Sequence, residues 1–292
     1  MKKVINHKVR RKHTPGDEVW RRFKKSKTAM LGLYIVLFLV LLAILADVLA
    51  DKELTTKIVG TARLKAPSAE HIFGTDHLGR DLFARMIYGS RISLSMGLLV
   101  VVLDMGIGSI LGAACGYLGG VFDGIVMRIC DILYCIPSML LVMVIASTLG
   151  TGLINLLIAL CVGTVPSVIR LVRSQVINLS NVDYVRAARA FGCGNLRLII
   201  KHILPNAIGI IIVQATGMIS GTVIAASGYS FLGFGVQPPT AEWGVILSDA
   251  KAYMLRAPYL MIIPGIAIVL SAMSMTLIGD GLRDALDPRL KN

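Results

Sequence analysis

The sequence predicts an all-α polytopic membrane protein with six transmembrane helices. Three observations carry that expectation. Of 292 residues, 55% are hydrophobic and only 16% charged, with a mean hydropathy of +0.74. A soluble globule could not keep that much apolar surface out of water. The apolar residues gather into six runs, each long enough for a hydrocarbon core of ~30 Å. The strongest basic cluster precedes the first run: Lys2, Lys3, Lys8, Arg10, Arg11, Lys12, Arg21, Arg22, Lys24, Lys25 and Lys27. Positive charge beside a span marks the cytoplasmic side and favours anionic lipid headgroups. The net charge of +13 is therefore read as membrane orientation. Nucleic acid is not the expected partner, because no aromatic interleaving or reader motif accompanies the charge.

Taken in order, residues 1–28 form the basic cytoplasmic segment. Ala29–Ala50 is the first span, too long for the apolar core of a cleaved signal peptide and so expected to stay as an anchor. Asp51–Tyr88 is polar, mixes acids and bases, and should form an outer loop. Ile92–Tyr117 is the second span; Gly106, Gly112 and Gly116, with Ala113, give it the small-residue spacing that lets helices approach. Gly119, Gly120 and Asp123 make a tight inner turn. The third span runs from about Gly124 to Leu149 with Pro137 as a kink, and the fourth from Leu153 to Val172 with Arg170 and Arg173 at its inner end. The fifth covers about Asn206–Ser227. An outer loop, Gly228–Ala257, leads to the sixth, Pro258–Leu277, and residues 279–292 form a tail. Six spans place both termini in the cytoplasm and bound a transmembrane domain of residues 29–278.

Between the fourth and fifth spans lies Asp183–Pro205, DYVRAARAFGCGNLRLIIKHILP, which carries Arg186, Arg189, Arg197 and Lys201 against Asp183 alone. Asn181 or Asp183 can cap a helix here. Val185, Ala187, Ala188, Ala190 and Phe191 give that helix a lightly apolar face. Gly192 and Gly194 then supply a stop where left-handed backbone costs least, and Pro205 fits the first turn of the next span. A short helix, a turn and a tether at the cytoplasmic surface make a docking device.

Chemistry within the chain is not expected. There is no GxxxxGK[ST] for a nucleotide, no HExxH and no GxSxG. His71 and His77 flank one outer turn without a metal-ligand spacing. The five cysteines, Cys115, Cys130, Cys135, Cys161 and Cys193, form no CxxC and read as small buried hydrophobes. Charges inside spans are costly, ~2.5–3.5 kcal/mol each on insertion scales, and so are candidates for function. Asp104 sits mid-span and should face either a water-filled path or a polar group on a neighbouring helix. Arg128 and Asp131, three apart on one helix, are expected to pair with each other. A secondary transporter or channel would share the six spans, but its paired broken helices would show as an inverted repeat, and none is clear.

The docking stretch resembles the cytoplasmic loop of permeases of binding-protein-dependent ABC importers, of pattern EAA-x3-G-x9-I-x-L-P. Ala187, Ala188, Gly192, Leu204 and Pro205 fall at its spacing, while Arg186 replaces its Glu and His202 its Ile. Similar stretches continue along the chain: FGTDHLGRDLFARMIYGSRISL, GYLGGVFDGIVMRICDILYCIPS and GDGLRDALDPRL look like the C-type permease of the dipeptide, oligopeptide and nickel group. The resemblance implies a type I permease fold with its core at about 90–280, in a bacterial inner membrane. It also implies a B-type permease partner, two cytoplasmic ATPases that bind the ATP and Mg, and an external substrate-binding protein. The coupling loop would be residues 173–205, with Asp183, Tyr184, Arg186, Ala187, Ala188, Arg189, Gly192, Leu204 and Pro205 at its centre. Peptides are the first expectation for substrate, nickel or a metal chelate the second.

Overall fold

A chain crossing lipid must satisfy its own backbone N–H and C=O groups, and these apolar runs do so as helices. The computed structural model describes residues 15–286. Lys2, Lys3, Lys8, Arg10, Arg11 and Lys12, together with Arg289 and Lys291, lie outside that range. The elements are α1 (Pro15–Phe23), α2 (Lys27–Ile44), α3 (Ala46–Leu49), α4 (Leu82–Leu118), α5 (Gly120–Cys135), α6 (Ser138–Leu149), α7 (Leu153–Ser180), α8 (Asp183–Ala190), α9 (Asn195–Arg197), α10 (Leu204–Phe231), α11 (Trp243–Ala250) and α12 (Tyr259–Leu286). Among the described residues the extended backbone pairs only at an isolated bridge, Thr75 with Asp81.

Five helices are long and apolar enough to span a membrane; α5 and α6, bent by 95° at their junction, pass the same test together and make a sixth where the pair counts as one span. Pro137 was expected to kink one helix; it ends one. Ile136, the residue before it, is extended at φ −97, ψ 126, as proline sterics favour, and Pro137 itself stands at the N-cap of α6. Several helices also outrun their apolar segments. α4 begins at Leu82 rather than Ile92 because Asp81 caps it, accepting from the Ala84 N–H at 2.9 Å. α7 continues to Ser180, and α12 to Leu286, well into the expected tail. The loop 228–257 contains α11, whose start is fixed by buried Glu242 accepting from the Gly244 and Val245 N–H groups, each at 3.0 Å.

The central packing is α4 against α7. A Cβ on Gly108 would lie 2.5 Å from Val168 Cγ1; on Gly112, 2.6 Å from the Ile169 carbonyl; on Gly116, 2.7 Å from the Arg173 carbonyl. Each missing side chain admits the neighbouring backbone or a valine. The expected triplet began at Gly106, which instead faces open space. The seam keeps a strict spacing of four, and Gly106 lies off that line. Of the cysteines, Cys115, Cys130 and Cys161 are buried as expected, whereas Cys135 is exposed and Cys193 half-buried.

Residues 51–81 fold into a platform held by charge. Asp76 is 3% exposed and takes Arg80 Nε at 2.6 Å as well as an Arg85 guanidinium N–H. The same two arginines donate to Asp249 of α11 at 3.0 and 3.2 Å. Trp243 of α11 donates to the Met86 carbonyl at 3.1 Å, and Ser93 to Glu242 at 2.9 Å. The outer histidines belong to this structure: His71 Nδ1 lies 2.9 Å from Asp81, and His77 stacks on Tyr253. Burial pushes the Asp76 carboxyl up, but the Arg85 and Arg80 charges and two backbone N–H groups outweigh it, holding it below the usual carboxylate range.

Two outcomes follow from this packing. Gly112→Val should overpack the α4–α7 seam at a cost of ~1–3 kcal/mol, whereas Gly106→Ala should be tolerated. Thermal melts of the detergent-solubilised protein compare the two, and equal stability would contradict the seam. Because the folded Asp76 pKa is lowered, its stabilisation is complete above the ordinary aspartate value of 3.8 and is lost as pH falls through the lower folded value. Proteolytic release of the platform should therefore stay flat at neutral and mildly acidic pH and rise only below about 3.8.

Candidate functional site

α8 begins after extended Val182 with no side-chain cap, so neither Asn181 nor Asp183 serves as one. Asn181 turns back instead, its Nδ2 donating to the Ile177 carbonyl at 3.1 Å. Asp183 lies in the first turn and Arg189 in the last, the order that complements the helix dipole. Val185 is fully buried among Val168, Val172, Val176, Leu198 and Ile203. Val185, with half-buried Ala188 beside it, anchors the helix while most of its surface stays exposed.

The helix closes on Gly192 at φ +80. Gly192 N–H donates to the Arg189 carbonyl at 3.0 Å and Cys193 N–H to the Ala188 carbonyl at 3.1 Å, which is the bond pair of a Schellman motif. Gly194, expected to share that role, has φ −65 and starts the next helix. From there the chain is helical throughout: α9 runs through a π-helical stretch, Leu198–Ile203, into α10. Leu204 and Pro205 thus sit inside a continuous helix from Asn195 to Phe231, with no separate tether. Proline is accommodated because the widened turns before it already displace the usual bonding pattern.

Around Gly192 the surface is apolar in the middle and basic at its edge. Phe191 is 92% exposed and Leu196 71%. Tyr184, Arg186, Ala187, Arg189 and Ala190 are exposed as well, and Ala188 is half-buried. Tyr117, near the end of α4, lies under this surface. Its ring sits 5.2 Å from the Arg189 guanidinium, and its hydroxyl donates to Asn195 Oδ1 at 2.9 Å. Tyr117 thus braces both sides of the Gly192 turn. This role is not visible in the sequence, since Tyr117 is remote along the chain and ends an apolar run.

The intramembrane charges separate into two environments. Asp104 is fully buried between α4 and α7, where Thr164 Oγ1 donates to its Oδ2; its Oδ1 has no partner. That geometry is a helix–helix contact. Arg128 and Asp131 do not pair. Asp131 takes Arg170 of α7 at 2.6 Å, with the Arg170 guanidinium 4.4 Å from the Tyr134 ring. Helix geometry turns residues three apart by roughly 60°, and Asp131 is the one turned towards α7. One helical level inward, Arg173 grips Asp123 with two nitrogens at 2.5 and 2.6 Å.

Comparison with known proteins decides the family. Residues 108–292 match the model of the binding-protein-dependent transport system inner membrane component. The chain belongs to that family. Residues 14–67 also match the N-terminal TM domain of oligopeptide transport permease C. A dipeptide transport system permease protein, DppC, of Alkalihalophilus pseudofirmus is 43% identical over 280 residues, 96% of this chain and 91% of the relative. A glutathione transport system permease protein, GsiD, of Escherichia coli O6:K15:H31 is 39% identical over 278 residues, 95% of this chain and 92% of the relative. This permease is all-helical and polytopic, and the stretch that suggested the family is the α8 surface.

The Asp104 contact yields a test. Thr164→Val strands a buried carboxyl and should cost about 1–3 kcal/mol, whereas replacing both partners, Asp104→Leu with Thr164→Val, should recover most of it. Melting of the purified permease reads the stability. Full transport by the double variant would establish the contact as structural, and lost transport at restored stability would contradict that.

Proposed function

We propose that this chain is a permease subunit of an ATP-driven importer of di- or oligopeptides, and that α8 seats in a cleft of a cytoplasmic ATPase. The observation that carries the reading is the exposed α8–Gly192 surface, anchored by buried Val185 with Ala188 beside it and braced from α4 by Tyr117. The substrate class rests on the printed names of the relatives, dipeptide and glutathione.

In this reading both termini and α8 face the cytoplasm, as the basic flank of α2 requires. Two ATPases bind ATP and Mg, and their approach displaces the docked α8. Phe191 and Leu196 supply apolar contact, while Arg186 and Arg189 meet acidic groups of the ATPase. Arg186 stands where the family pattern has a glutamate, so the expected partner of that position is an acid rather than a base. Displacement passes to α4 through Tyr117, and along the glycine seam to α7. The bundle then turns from inward-open to outward-open as packed bodies. A second, B-type permease completes the pathway, and a substrate-binding protein docks on the outer platform, around residues 74–81 and 231–243.

Gly192→Val tests the reading. A β-branched residue at φ +80 is strained by ~1–3 kcal/mol, so the turn should reshape while the spans stay inserted. Membrane levels should match wild type, with peptide uptake and ATPase stimulation both abolished. Uptake at the normal rate in that variant would show that α8 is not the coupling element.

A further inference from the structure

α1 is a helix that the coupling surface does not use, and its position is fixed by packing. Phe23 is 3% exposed and lies in a cluster with Ala29 of α2 and Ala285 of α12. Gly281 of α12 makes the notch: a Cβ there would lie 2.3 Å from Ala29 Cβ and 3.3 Å from Phe23 Cε2. The last turn of α1 is therefore pinned where α2 begins and α12 ends.

α2 sets the depth of that junction in the bilayer. Its 18 residues, Lys27–Ile44, are long and apolar enough to span. They cover about 27 Å at 1.5 Å per residue, close to the ~30 Å of the hydrocarbon core. A span with so little length to spare puts its first residue at the headgroups. Ser26 caps it there, accepting from the Ala29 N–H at 3.3 Å. The end of α1 beside Lys27 lies at the same level, among lipid phosphates.

The surface that α1 presents at that level is specific. At about 100° per residue, Trp20 and Lys24 share one flank, and Glu18 and Arg22 lie on the nearly opposite one. Glu18 and Arg22 bond to each other at 2.6 Å. On the other flank the Trp20 ring stacks on Phe23 with centroids 5.7 Å apart, stays 49% exposed, and has the Lys24 ammonium 5.0 Å from its centroid. Arg21, Lys25 and Lys27 are exposed nearby. Among the described residues, none of these four cations has an ion-pair partner. The acids Asp17 and Glu18 occupy the first turn, away from the junction. An indole rimmed by cations suits the boundary between headgroups and acyl chains.

We propose that Trp20, Arg21, Lys24, Lys25 and Lys27 form a binding surface for anionic phospholipid, which holds α1 across the neighbouring ends of α2 and α12. Lipid phosphates and the headgroup's negative charge meet the cations, and the indole enters among the first carbons of the acyl chains. Such attraction grows with each Lys or Arg near an anionic surface and fades within a Debye length. The inference needs α2 to be a span, and is independent of the substrate.

The test places the full-length chain, purified with the subunits it assembles with, in nanodiscs of mixed phosphatidylglycerol and phosphatidylcholine. One or the other lipid is brominated high on its acyl chains, at constant headgroup composition. The fluorescence lost in wild type beyond that lost in Trp20→Phe reports on Trp20. Brominated phosphatidylglycerol should quench it about threefold more than brominated phosphatidylcholine. That preference should shrink as salt rises from about 0.1 M to about 1 M, where the Debye length falls from ~10 Å to ~3 Å. Arg21→Gln with Lys24→Gln, Lys25→Gln and Lys27→Gln should remove the preference, whereas exchanging Lys and Arg at the four positions should keep it. Equal quenching by the two lipids would overturn the proposal, as would a preference that survives the four glutamines or high salt. Quenching of Trp20 by neither lipid would show that a protein partner covers α1, and would overturn it too. The salt series is read on the unmodified chain, so it decides even where the glutamine variant does not insert.

Discussion

The α4–α7 seam is the constraint on which the rest depends. Lipid offers no hydrophobic drive to bring helices together, so packing has to come from close approach. Gly108, Gly112 and Gly116 let the α7 backbone and its valines settle into α4 at distances no side chain would permit. Every candidate feature is placed by that contact. Asp104 meets Thr164 across it. Arg170 and Arg173 reach from α7 to α5. Val172 and Val176 continue past it to bury Val185 of α8.

Charge is used differently at the two ends of the bundle. At the 51–81 platform, Asp76, Arg80 and Arg85 are locked together with Asp249, and Arg80 and Arg85 are almost without exposure. Removing one member of such a network strands the others, so it holds the platform to α11 in one arrangement. At the other end, the arginines of α8 stand in the open. Long-range attraction and reversible contact need that accessibility. The platform fixes shape, and the α8 surface stays accessible.

The six-span architecture and the α8 surface were legible in the sequence because they rest on short-range rules. Apolar run length marks a span, and glycine at positive φ ends α8 at Gly192. What the chain order could not show was pairing across helices. Arg128 and Asp131 are neighbours on one helix, yet Asp131 meets Arg170, an arginine far along the chain. Gly106 and Gly108 look alike in sequence, and only the α7 surface tells them apart. Helix ends were misjudged for a related reason. Asp81 and Glu242 cap helices that begin outside the apolar runs, so hydropathy alone missed those starts, and Leu198–Ile203 stays helical although its polar residues suggested a linker.

That π-helical stretch bears on stiffness. Two helices leave the docking surface for the membrane. α4 is one unbroken rod of 37 residues, about 56 Å long at 1.5 Å per residue, and it meets the surface through Tyr117. The other leads into α10 through widened turns whose backbone bonds are less regular than those of an α-helix. A push at Gly192 therefore meets a rigid lever on one side and a compliant joint on the other. In the proposed coupling, torque would travel up α4 while the joint absorbed the mismatch, so that α10 need not tilt in step with α8.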